Sequence, residues 1–311
     1  MYLTPAPSPR DNHSMPDKIQ IVEVGPRDGL QNEKQVVSTE TKVALIERLA
    51  DAGLKTVEAG AFVSPKWVPQ MAATEEVMER IRRAAGVSYP VLTPNMKGYE
   101  GARAARADTV AVFGAASESF SKENINCSID ESLDRFRPVI DAAKADGVRV
   151  RGYVSCVLGC PYEGDVPLTN VVRVASALHA MGCYEISLGD TIGVGTHEET
   201  RAMIRAVASE VPVASLAGHY HDTYGQALAN IWASIEEGVA VFDASVSGLG
   251  GCPYAKGASG NVATEDVVYS LHRSGLDTGA DLDALIDVSR WISGELGRKP
   301  GGKVTLARAN A

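Results

Sequence analysis

The 311-residue sequence predicts an α/β fold of the (β/α)8 (TIM) barrel class, with an additional C-terminal helical segment. Three observations carry that expectation. Short β-branched runs alternate with longer amphipathic stretches from Lys18 onward, and such alternation builds a parallel sheet covered by helices. Eight pairs of this kind within about 250 residues match the size of the barrel. The first strand is not followed by a G-x-G-x-x-G turn, which weighs against the structural alternative, an open doubly wound sheet.

The expected strands are, in order, Ile19–Val24, Thr56–Ala59, Tyr89–Leu92, Thr109–Phe113, Val148–Val154, Tyr184–Leu188, Ser215–His221 and Val241–Val246. The expected helices lie near Thr41–Ala52, Thr74–Ala84, Lys97–Ala107, Asp130–Asp146, Leu168–Met181, Glu198–Ser209, Gln226–Glu237 and Thr264–Arg273, with Leu282–Glu295 added after the eighth unit. Ser38 and Thr39 supply N-cap candidates for the first helix. Gly53, Gly147, Gly182 and Gly238 fall at helix ends, where a left-handed residue closes the last turn. Residues 18–300 form the expected catalytic barrel, flanked by a proline-rich disordered extension over 1–17 and a flexible tail over 301–311.

Composition narrows the function. The net charge is −9, and no cation cluster exists beyond Arg80, Arg82 and Arg83, which argues against a nucleic-acid partner. No apolar run reaches membrane-spanning length, so no membrane partner is expected. The N-terminal stretch lacks the apolar core of a secretory signal and the cations of a mitochondrial one, so a cytoplasmic location is expected. Five cysteines suit a reducing compartment with one or two working thiols.

The chemistry-bearing residues collect where strands give way to βα loops, the catalytic face of such a barrel. His219 and His221 stand two apart on a strand, so both imidazoles point the same way. Two neutral imidazoles with a carboxylate suit a divalent metal with open positions. Asp28 is the candidate carboxylate, and Asn261 adds a side-chain carbonyl. This mixed N/O set without thiolate favours Mg2+ or Mn2+, with Zn2+ or Fe2+ left open. Satisfied structural histidines are the bland alternative.

Arg27 adjoins Asp28 and can stabilise a developing oxyanion, or close the barrel end as an ion pair with Glu58 or Glu23. Glu58 and Asp190 are either acid–base groups or structural partners of Arg27. Cys252 sits in a glycine-rich loop, as a working thiol or as a small buried residue. Gly193-Val194-Gly195 is too short for a phosphate loop and lacks its Gly-Lys-Ser/Thr ending.

Seven stretches, Glu23–Glu33, Phe62–Met71, Asn124–Ser128, Gly159–Gly164, Ser187–Gly195, His219–Asn230 and Gly248–Asp266, together resemble the hydroxymethylglutaryl-CoA lyase family of the DRE-TIM metallolyase superfamily. Claisen-condensing synthases of that superfamily typically continue their His-x-His with Asn-Asp-x-Gly, whereas this chain reads Asp222-Thr223-Tyr224-Gly225.

The resemblance implies a carbon–carbon lyase that cleaves 3-hydroxy-3-methylglutaryl-CoA to acetyl-CoA and acetoacetate, with leucine breakdown as the family pathway. Asp28, His219, His221 and Asn261 then resemble the metal ligands. Arg27 resembles the residue that polarises the thioester carbonyl, and Cys252 the loop thiol. Glu58 and Asp190 match further active-site acids. Asn124 falls in a stretch similar to the family's coenzyme A contact. Either Asp190 or His219 takes the hydroxyl proton.

An acyl-CoA partner calls for cations at the barrel mouth, with Arg27, Lys34, Lys66 and Lys122 as candidates, and a homo-oligomer, a dimer, is expected. A transit peptide and a cysteine-bearing tail like those of animal members are not expected. A related aldolase or synthase on the same metal barrel is the alternative function, and a non-catalytic binding barrel the third.

Overall fold

A computed structural model of the chain describes residues 16, 18–33, 35–251 and 260–308. The expected N-terminal extension therefore lies almost wholly outside the described residues, as do Lys34 and Cys252.

Among the described residues the strands are β1 (Gln20–Glu23), β2 (Thr56–Val57), β3 (Gly60–Ala61), β4 (Val91–Leu92), β5 (Thr109–Ala115), β6 (Arg149–Ser155), β7 (Glu185–Asp190), β8 (Leu216–Tyr220) and β9 (Val241–Ala244). They form one sheet in the order β2-β1-β9-β8-β7-β6-β5-β4-β3, with every pairing parallel. The two edge strands are halves of one short segment. Its amides reach both neighbours: Glu58 N–H donates to the Glu23 carbonyl, and Ala59 N–H donates to that of Pro90. The sheet thus curls until its ends meet, consistent with a TIM barrel.

Each expected strand is present, and the second divides around Glu58 and Ala59. The expected helices are present too, with ends moved by a few residues. Ser38 caps the first helix by accepting from Thr41 N–H. Gly182 closes Leu168–Met181 at φ 116°, a conformation that a side chain would oppose. The core fills the space between sheet and helices with Val, Ile and Leu from both, as in Val110, Val112, Val139 and Ile140, all 1% exposed or less. No helix among the described residues is long and apolar enough to cross a membrane.

Three elements depart from expectation. Gly25–Gly29 forms a single π-helical turn directly after β1. Glu118–Ile125 is a helix capped by Ser117, whose side chain accepts from Phe120 N–H. Within the tail expected to be flexible from 301, of which 309–311 lie outside the described residues, Lys303–Ala307 forms a short helix. Its first amides, Lys303 N–H and Val304 N–H, donate to the Asp266 carboxylate, which anchors the helix start on the barrel.

Candidate active site

All strands run in one direction, so their C-terminal ends share one face. That face carries Glu23, Glu58, Asp190, His219, His221 and the turn holding Arg27 and Asp28.

The π-helical turn decides the position of its own two charged residues. Gly25, Pro26, Arg27 and Gly29 are buried, so the turn packs into the barrel mouth with the Asp28 side chain partly exposed. Arg27 is 6% exposed. Its Nε donates to Glu58 Oε2 at 2.6 Å, and its Nη1 donates to Asp28 Oδ1 at 2.7 Å. Burial opposes charge on Asp28, but Arg27 and the two histidines outweigh it and hold the carboxyl at about 2. Asp28 is therefore ionised at neutral pH.

Asp28, His219 and His221 offer ligand atoms that all lie within 4.8 Å of one another. The Asn261 amide joins them, donating from Nδ2 to Asp28 Oδ2 at 2.8 Å and to the Leu249 carbonyl at 3.2 Å. A backbone bridge between His221 and Asn261 sets that approach. Burial, with His219 beside it, pushes His221 down to about 4, so its ring is neutral. Among the described residues the buried His221 Nδ1 has no hydrogen-bond partner. A buried orphan nitrogen costs about 1–3 kcal/mol, and a cation at this spot would satisfy it. An ionised carboxylate and a second imidazole, beside this neutral ring with its orphan nitrogen, fit a divalent metal ion.

His219 is held differently. Its Nδ1 lies 3.1 Å from Asp243 Oδ2, and Asp243 is otherwise saturated. Arg151 donates to both its oxygens, at 2.7 and 3.1 Å, and the Ser187 hydroxyl donates at 2.7 Å. Burial would raise the Asp243 carboxyl, but Arg151 and His219 hold it far below its ordinary value. An acceptor-only carboxylate places the proton on His219 Nδ1 and leaves Nε2 for the Asp28 side, the usual arrangement behind a metal-bound histidine.

Tyr153 forms the floor. Its hydroxyl donates to Glu58 Oε1 at 3.2 Å, and its ring lies between two guanidinium groups, 5.4 Å from Arg27 and 4.9 Å from Arg151. Burial, with Glu58 beside it, pushes the phenol far above its ordinary range, so it stays a neutral donor. Sequence reasoning missed Tyr153, Arg151, Ser187 and Asp243. Two signals were present: Arg151 and Tyr153 alternate on one strand face, and Asp243 is a lone charge in the apolar Val241–Val246 run.

Asp190 is fully buried at the end of β7. Its oxygens accept from Gly193 N–H, Val194 N–H and Gly195 N–H, at 3.0, 3.2 and 2.9 Å. Burial raises its pKa despite those three donors. The Gly193–Gly195 stretch thus cradles a carboxylate of its own chain. Burial likewise raises Glu58 against the pull of Arg27. Asn124 lies near the end of the Glu118–Ile125 helix, away from the strand-end cluster in sequence.

A family model described as HMGL-like matches residues 18–292. The chain belongs to this family. A curated HMGL-like relative is 60% identical over 94% of this chain and 98% of its own, the 3-hydroxy-3-isohexenylglutaryl-CoA/hydroxy-methylglutaryl-CoA lyase of Pseudomonas aeruginosa. A crystal structure of hydroxymethylglutaryl-CoA lyase from Pseudomonas aeruginosa superposes with a TM-score of 0.92 at 60% identity, covering 94% of this chain and 98% of that one. A hydroxymethylglutaryl-CoA lyase from "Acenitobacter baumannii", in complex with coenzyme A and 3-methylmalate, superposes at 0.91 with 35% identity, over 95% and 96% of the two chains. The HMGL-like match runs through Asp28, His219, His221 and Asn261, the residues that meet at the strand ends.

Proposed function

We propose that the chain is a carbon–carbon lyase that cleaves 3-hydroxy-3-methylglutaryl-CoA to acetyl-CoA and acetoacetate. One observation carries the reading: a buried arginine, Arg27, stands beside a divalent-metal donor set, so an anion stabiliser and a hydroxyl-activating site share one mouth. Relatives named as lyases, covering nearly the whole chain, support it.

Asp28, His219 and His221 would hold the cation, with Asn261 beside them. A divalent ion there supplies Lewis acidity toward substrate oxygens and fixes their orientation. Mg2+ or Mn2+ suits the N/O donor set best. Arg27 receives the negative charge that moves onto the thioester oxygen as the carbon–carbon bond breaks. Glu58 and Tyr153 fix the guanidinium for that task. His219 Nδ1 faces Asp243, and the hydroxyl proton is assigned to Asp190. Its burial-raised carboxyl suits that transfer. Cys252, outside the described residues, is the proposed donor to the acetyl-CoA enolate.

The deciding experiment measures acetoacetate release from 3-hydroxy-3-methylglutaryl-CoA with and without added Mg2+ or Mn2+. Metal-dependent release is expected. Its absence, together with condensation of acetyl-CoA onto a 2-oxo acid, would replace the lyase by a synthase.

A further inference from the structure

The carboxylate of Glu23 lies deeper than any proposed ligand, and the mechanism above does not use it. It ends β1 and is 0% exposed. Its Oε1 accepts from Gly25 N–H at 2.8 Å and from Val246 N–H at 2.9 Å. Its Oε2 accepts from the Thr264 hydroxyl at 2.6 Å. These donors open three different segments. Gly25 begins the turn that carries Arg27 and Asp28. Val246 begins the Val246–Gly248 turn, which leads to Leu249, whose carbonyl holds the Asn261 amide. Thr264 begins the helix three residues after Asn261.

The approach is close. A side chain on Gly25 would put its Cβ 2.5 Å from Glu23 Oε1, and one on Gly29 would meet Ser245 and Leu249 at 2.6 and 2.7 Å. A second buried acid grips the same turn from the other side, with Glu265 Oε2 accepting from Ser247 N–H at 3.0 Å. Ser247 is held at φ 60°, a left-handed conformation that a non-glycine residue adopts at a cost. Two carboxylates on consecutive amides explain how that turn persists.

We propose that Glu23 is a positioning residue that ties the Asp28 turn to the Asn261 segment, so that both arrive at the metal site in register. The inference rests on the ligand set proposed above. It concerns geometry, and geometry separates it from a charge effect. A glutamine keeps the Oε1 acceptor for both amides and offers an N–H2 to the Thr264 hydroxyl. An aspartate keeps the charge but is one methylene short.

The test is Mn2+ affinity, read by titration on Glu23→Gln, Glu23→Asp and Glu23→Ala, with kcat and KM measured alongside. Loss of a residue that orients metal ligands costs about 10–100-fold in metal affinity. Glu23→Ala and Glu23→Asp are expected to lose that much, and Glu23→Gln to stay near wild type. Even if Glu23→Ala fails to fold, the order of Gln above Asp carries the test. Aspartate binding Mn2+ better than glutamine overturns the proposal, as does a folded Glu23→Ala with wild-type affinity. Asp28→Asn is titrated in parallel: unchanged affinity there overturns the ligand set itself, whereas unchanged affinity in Glu23→Ala alone overturns the coupling.

Discussion

Two arginines flank the Tyr153 ring, and they are spent in opposite ways. Arg151, fully buried, commits Nε to Glu185 at 2.6 Å and both Nη atoms to Asp243. Arg27, at the mouth, commits Nε to Glu58 and Nη1 to Asp28, and its Nη2 has no hydrogen-bond partner among the described residues. With all three nitrogens engaged, Arg151 organises the carboxylate behind His219. An uncommitted donor makes Arg27 available to an incoming oxyanion. Identical side chains less than 6 Å from one ring thus differ in how many of their nitrogens the fold has engaged, and the roles proposed for them differ accordingly.

This contrast can be broken most severely at Arg151. Arg151→Met strands Glu185 and Asp243 as buried charges, and breaking such a pair costs about 3–5 kcal/mol of stability. Urea unfolding reads the loss, and a wild-type midpoint would mean that Arg151 is not the buried partner described. Arg27→Gln should act on turnover instead. Losing one oxyanion donor costs about 10²–10³ in kcat, while Mn2+ still binds; the glutamine keeps an N–H2 to offer Glu58, so the unfolding midpoint is expected to fall less than in Arg151→Met. Near-normal kcat would remove Arg27 from the chemistry.

Asp243 links Arg151 to His219. In Asp243→Asn the amide can donate to His219 Nδ1 and turn the other tautomer toward the ligand set. Mn2+ affinity is then expected to fall by about 10–100-fold, with Ser187→Ala as a control that loses a hydrogen bond but not the acceptor. Equal affinities in the two variants would count against the tautomer argument.

Much of this was legible in the sequence because it is local. Hydrophobic runs of four to seven residues gave the strands apart from Gly60–Ala61, and a two-residue spacing put His219 beside His221, with ring centroids 5.3 Å apart. Asp28 was legible as a carboxylate in the loop that follows the first strand. What escaped was set by ring closure. Arg151 and Asp243 are 92 positions apart in sequence, and their pairing depends on both pointing into the barrel. A charged residue in a strand reads as solvent-facing until the sheet is known to close over it.

Asp190 was read as an acid–base group or an arginine partner; its bonds to the amides at 193–195 depend on a loop path that no periodicity encodes. The Glu118–Ile125 helix was missed because its eight residues are mostly polar, although Ser117 and a left-handed Asn126 mark its two ends. The Lys303–Ala307 helix is too short for periodicity to detect; tertiary bonds from Asp266 make it.

The divided second strand has a consequence for how the enzyme assembles. Glu58 sits at the one place where the sheet's two ends join, with its amide on the Glu23 carbonyl and its carboxylate on Arg27. The last ladder to seal the cylinder and the ion pair that aims the arginine therefore belong to a single residue. A chain with every helix formed but this seam open has no aimed guanidinium, so activity reports topological completion rather than secondary-structure content.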